Sequence, residues 1–186
     1  QSRTLAKIDF RPDIRINTWF KEIAGFPPHI VLTNRGPVDA IQVSVKMYSH
    51  RYYPSVGSSA GKIAVTSESS SNDAFFHSIE PRGTKIVQFQ KGWLETNARL
   101  QEPPQHNIME IRLQYRRAQD LEAYDVSAFY FINPEGHWVS ESSTSLGDSI
   151  YQSLKKAARA HRASLPEQYL LPMYEDGDLL HENKEP

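Results

Sequence analysis

The chain contains no cysteine. Disulfide frameworks, thiolate metal sites and cysteine nucleophiles are therefore excluded together. Long apolar runs are also missing. The longest, Ala128-Phe129-Tyr130-Phe131-Ile132, is far too short to cross a bilayer. Lys and Arg are scattered, and the net charge of −1 with a pI near 6.7 leaves no electrostatic footprint for nucleic acid. The seven histidines, at 29, 50, 77, 106, 137, 161 and 181, form no i, i+2 or i, i+4 pair, so no local metal motif is present. No Gly-x-Ser-x-Gly elbow accompanies the serine runs 69–71 and 142–145, which read as linkers. Glu175-Asp176-Gly177-Asp178 lacks the twelve-residue pattern of a calcium loop and reads as solvated tail. No catalytic residue, metal site or cofactor is assigned.

What is present is enough to build a core. Of 186 residues, 39% are hydrophobic and 23% charged, enough for a packed core in one substantial domain plus a tail, or in two very small domains. Strand periodicity dominates. Ile14, Ile16, Thr18 and Phe20 alternate with Arg15, Asn17 and Trp19. The run 29–33 is β-branched and strand-like. Ile41, Val43, Val45 and Met47 alternate with Gln42, Ser44 and Lys46, and Met109, Ile111, Leu113 and Tyr115 with Glu110, Arg112, Gln114 and Arg116. Residues 84–90 form another strand with Val87 and Phe89 on one side, and 125–132 is aromatic enough for burial on both faces. Residues 137–140 return as a hairpin partner after the turn Asn133-Pro134-Glu135-Gly136.

Asn34-Arg35-Gly36-Pro37 has phosphate-loop spacing but lacks the Lys-Ser/Thr pair and the helix start that such a loop needs. It is read as a tight corner, with Asn and Gly supplying left-handed backbone. Residues 49–78 read as a long inserted loop, with 62–66 as an edge strand inside it. After residue 145 the period changes. Ile150, Leu154, Ala157, Ala158 and His161 recur at helical spacing, Ser145 or Asp148 caps the start, and Pro166 stops the run. The narrow apolar stripe predicts a docked surface helix.

The expected fold is mainly β: an antiparallel, immunoglobulin-like two-sheet sandwich of about seven strands with one C-terminal helix. Residues 1–144 form the sandwich, and 145–186 the helix and an acidic tail. Tyr48, His50, Tyr52, Tyr53, Phe75 and Phe76 flank or sit in the long loop and are the candidate binding residues, since loop aromatics bind at little entropy cost. The same residues could instead fold the loop back over a sheet. Trp93 and Trp138 read as core or sheet-cover residues.

The segment from Leu32 to Val45 resembles the Asn-x-Gly-x-x-x-Ala-x-x-Val-x-Val pattern of bacterial immunoglobulin-like modules such as CARDB-type domains. Ile79-Glu80-Pro81-Arg82-Gly83-Thr84 is similar to their later Pro-x-Gly turn. The resemblance covers about residues 28–140. It implies a hairpin between two early strands and an extracytoplasmic setting, often on a membrane-anchored chain. The chain opens on Gln1 rather than Met, which reads as a trimmed or processed start and leaves an upstream signal peptide or anchor open, with a cytoplasmic setting as the alternative. The leading expectation is a non-enzymatic interaction or ligand-binding module of a bacterial envelope protein, with a protein or glycan as partner. Two alternatives remain open. One is a sandwich-scaffold hydrolase or carbohydrate-active protein using carboxylates among Glu68, Asp73, Asp120, Glu122 and Asp125. The other is a structural subunit that forms a homodimer through the C-terminal helix.

Overall fold

A computed structural model of the chain describes residues 10–54, 63–66, 73–90, 92–98, 106–132, 135–140 and 148–164. Alternation builds the first strand. On β1 (Ile14–Trp19), Ile14, Ile16 and Thr18 turn inward, while Arg15, Asn17 and Trp19 face solvent. The strand pairs antiparallel with β2 (His29–Asn34), which pairs in turn with β6 (Thr84–Gln88). Ile30, Leu32 and Val87 continue its buried face.

The larger sheet is centred on β3 (Ala40–Pro54) and β7 (His106–Arg117). Beyond β7 lie β8 (Ala123–Ile132) and β9 (Trp138–Ser140). The other edge of β3 takes β5 (Asp73–Ile79) along residues 40–46 and β4 (Ile63–Thr66) along residues 51–54. Among the described residues this gives nine strands in two antiparallel sheets of three and six. One cluster joins them: Ile14, Ile30 and Leu32 of the small sheet share a core with Val45, Met47, Ile111 and Leu113 of the large one. The mainly β sandwich is as expected, though with more strands and with an extra helix.

That helix, α1 (Trp93–Ala98), closes one side of the core. Trp93 stacks on Phe89 at 6.1 Å, and the Trp138 indole donates to the Leu94 carbonyl at 3.4 Å. Both tryptophans are buried, so each is core. The C-terminal helix is α2 (Asp148–Ser164). It docks on the outer side of the large sheet, where Leu154 and Ala158 pack with Ile108, Phe129 and Phe131.

Several expectations change. The stretch from Asn34 to Pro37 is a corner, but β2 and β3 belong to different sheets, so it carries the chain across the sandwich rather than closing a hairpin. Neither Asn34 nor Gly36 has a left-handed φ. Asn34 works through its side chain instead. Its amide donates to the Val38 and Ile79 carbonyls at 2.8 and 2.9 Å and accepts from the Asp13 and Gly36 N–H groups at 3.2 and 2.9 Å. Four bonds at a fully buried side chain satisfy the whole amide and sew three segments together.

The core face of β3 also differs. The register with β7 slips between Ile41 and Ser44, and Gln42 sits at φ 51°. This is a β-bulge, and it moves Ile41 off the core while Ala40 joins Val43, Val45 and Met47. Of the segment 49–78, residues 63–66 form the expected edge strand, while 49–54 and 73–78, taken as loop, are strand as well. In β8 only Phe129, Tyr130 and Phe131 are buried, and Asp125 and Val126 are exposed. Ser145, Pro134, Glu68, the serine runs and the tail beyond 164 lie outside the described residues.

Candidate functional site

The candidate aromatics do not assemble on a loop. Tyr48 and His50 are fully buried within β3, and their rings stack at 6.1 Å. Tyr52 and Tyr53 lie further along the same strand, with side chains outside the described set. Phe75 is partly exposed on β5 against His77, while Phe76 packs on the core. The alternation of a strand explains the split: neighbouring aromatics point to opposite faces.

What Tyr48 and His50 do enter is a charged layer between the large sheet and α2. The register sets Tyr48 opposite Glu110, and Glu110 opposite Phe129, on the face that α2 covers. Arg162 follows Leu154 and Ala158 at four-residue spacing, so it projects from the same helix face. Glu110, fully buried, takes three partners. His50 Nε2 lies 3.3 Å from one carboxylate oxygen, and the Ser127 hydroxyl donates to the other at 2.7 Å. The Arg162 guanidinium pairs with that second oxygen and also donates to Ser127 at 3.2 Å. Burial pushes the Glu110 carboxyl up, but the His50 bond, the Arg162 charge and the Ser127 bond outweigh it, and the net shift is downward. Glu110 is held as a carboxylate.

A second group adjoins it on the same face. The Arg112 Nε donates to both Asp125 oxygens at 3.0 and 3.2 Å, and its terminal nitrogen adds a further bond. Tyr48 also bonds Arg112. Burial raises the Tyr48 phenol, against the pull of Arg112. The Arg112–Asp125 pair is half open to solvent, with Asp125 side-chain exposure at 44%.

This layer ties α2 to the large sheet through Arg162. In a nucleophile–base–acid relay the histidine stands between hydroxyl and carboxylate. Here Glu110 stands in the middle, so the Ser127 hydroxyl faces a carboxylate already engaged by His50 and Arg162 rather than an imidazole. The carboxylates named from the sequence are dispersed. Asp120 and Glu122 bind Arg117, Asp125 binds Arg112, and the Asp73 side chain and Glu68 lie outside the described set. Among the described residues no group of three or more His, Asp or Glu could hold a metal ion.

Glu110, Arg112, Ser127 and Arg162 escaped sequence reading. Alternation marks the polar face of β7 correctly but does not distinguish water from a covering helix. The available signal was the line Leu154, Ala158, Arg162: an apolar stripe that ends on a cation needs a facing carboxylate.

Among the described residues, several exposed apolar side chains lie elsewhere. Trp19 is 45% exposed and Ile86 59%, and Ile23 and Phe26, in the connection between β1 and β2, are 45% and 65% exposed. Trp19 stacks on His29 at 6.4 Å, and Ile86 sits opposite Val31, so both belong to the outer face of β1-β2-β6. No protein-family model matches this chain, and a search of curated proteins finds no match to it.

Proposed function

We propose that the chain is a non-catalytic, immunoglobulin-like interaction module of a bacterial envelope protein, and that the outer face of β1-β2-β6 contacts a protein partner. One observation carries this reading: Trp19 and Ile86 stay exposed on one sheet face, and Ile23 and Phe26, in the connection leaving β1, are exposed as well. Surfaces that keep aromatic and aliphatic groups together in water are characteristic of protein contacts. The charged layer under α2 supports the same view, since its groups satisfy one another. The apolar stripe of α2 is used on its own sheet, which argues against a helix-mediated dimer as the main role.

Strand order supports the immunoglobulin-like part. The first two strands pair with a later one in one sheet, and the third pairs with later strands in the other. The envelope setting rests on the resemblance of residues 28–140 to CARDB-type modules.

The test is photo-crosslinking in the native host from position 86. A discrete adduct is expected that disappears when Trp19→Ser is combined with the crosslinker, while the thermal midpoint is kept. Absence of any adduct from positions 19, 26 and 86 would end the reading. Fractionation of the same cells should place the protein with the envelope, and recovery in the cytosol alone would refute that part.

A further inference from the structure

The corner at Asn34–Pro37 does more than cross between sheets. It is pressed against residues 11–13. The Arg35 N–H donates to the Asp13 carbonyl at 2.8 Å, and a Cβ on Gly36 would stand 2.3 Å from the Arg11 carbonyl. Only glycine allows that approach. Beside it lies a cleft of about 500 Å³ lined by Arg11, Arg15 and Arg35, with Asp13 among them. Tyr115 and Tyr124 form its wall, their rings stacked at 5.2 Å and 14°.

The charge is concentrated here. The chain as a whole carries −1, while this cleft is lined by three arginines and one aspartate, with Glu122 at its edge accepting from the Tyr124 hydroxyl at 2.7 Å and with Arg11 already engaged. Asp13 pairs with Arg15 at 3.1 Å in an exposed bridge that solvent already weakens. Arg35 has no ion-pair partner among the described residues. Guanidinium forks match oxyanions in bidentate geometry. Three forks suit a dianion with three free oxygens better than a single carboxylate. The volume lies in the range of small-molecule sites, about 300–1,000 Å³, which leaves room for an organic body beside the phosphate.

We propose that this cleft binds a phosphomonoester of a small organic molecule, with Arg11, Arg15 and Arg35 on the phosphate and Tyr124 against the organic part. The site uses none of Trp19, Ile23, Phe26 and Ile86, and of the outer face of β1 it includes only Arg15, so it stands or falls without the partner reading.

Calorimetric titration of the whole chain with phenyl phosphate and glucose 6-phosphate tests it. Saturable binding of at least one probe is expected, weakened by added salt and by competing inorganic phosphate. Glucose and phenol should not bind. Arg35→Ala, at an exposed position, should lower the affinity about tenfold with an unchanged thermal midpoint. Arg35→Lys, which keeps the charge and loses the fork, should fall between. No binding of either probe would overturn the proposal, as would equal binding of glutarate or an affinity indifferent to Arg35→Ala. Phosphatidylcholine vesicles with and without phosphatidic acid form the last arm. Binding only to the phosphatidic acid vesicles would replace the soluble ligand by a lipid headgroup and overturn the small-molecule assignment.

Discussion

The two faces of the β3-β7-β8 sheet are buried by different chemistry, the outer one adding a charged layer to its apolar contacts. The inner face sets Val45, Met47, Ile111 and Leu113 against the small sheet. The outer face sets Tyr48, His50, Glu110 and Ser127 against α2. The residues alternate along the same strands, so backbone and register are shared. Burial on the inner face is non-directional and scales with apolar area. On the outer face each group depends on a particular partner at a particular angle, and losing one strands the rest. The sandwich face therefore tolerates reshuffling, whereas the helix face specifies where α2 sits.

The largest effect follows from stranding a charge. Glu110→Ala leaves Arg162, His50 and Ser127 facing the vacancy of a fully buried carboxylate. The expected loss is about 3–5 kcal/mol, read from urea midpoints. Ile111→Ala, the neighbour on the inner face, should cost about 2–5 kcal/mol through its cavity. The comparison separates on the second substitution. Adding Arg162→Leu to Glu110→Leu should recover much of the loss, because a buried ion pair can be replaced by apolar groups at little cost. If the double variant is no better than Glu110→Leu alone, the outer face is not held by paired charges.

The contrast should also appear with pH. Glu110 has its folded pKa below the ordinary 4.5, so its contribution is present above 4.5 and is lost as pH falls through the lower folded value. Urea midpoints should drop on the acid side of 4.5. Glu110→Gln should flatten that part of the slope, while Ile111→Val should shift the whole curve and leave its shape alone.

How much of this was legible depends on which partner each residue has. The inner face of β7 follows from alternation, because Met109, Ile111 and Leu113 need only be apolar and in phase. The break in β3 did not follow. Nothing in the run Ile41-Gln42-Val43 announces a bulge, which is set by how β3 meets β7 across more than seventy residues of chain. Tyr48 and His50 were singled out for their chemistry but assigned to a loop, because serine and glycine crowd the segment after them. The corner at Asn34 was located correctly and explained by the wrong property, since its side-chain amide does the holding. The charged layer was hidden for a general reason. A polar strand face looks the same in sequence whether water or a helix lies over it, and Arg162 is more than fifty residues from Glu110.

The smallest predicted effect sharpens the contrast by keeping the ion pair and removing the burial. At the β7–β8 turn the Arg117 guanidinium bonds Asp120 at 2.8 and 2.6 Å and also pairs with Glu122 at 2.5 Å. The bonds are as short as those around Glu110, and the Asp120 hydrogen bond raises the Arg117 pKa while lowering that of Asp120. Asp120 and Glu122, however, are about half exposed. Water replaces either partner at once, and salt screens what remains. Asp120→Asn should therefore leave the urea midpoint where it was, at low and at high salt, and on both sides of pH 4.5. A drop comparable with that of Glu110→Ala would mean that geometry, not removal from water, decides the strength of the outer-face network. The division between the two faces would then have to be redrawn around bond count.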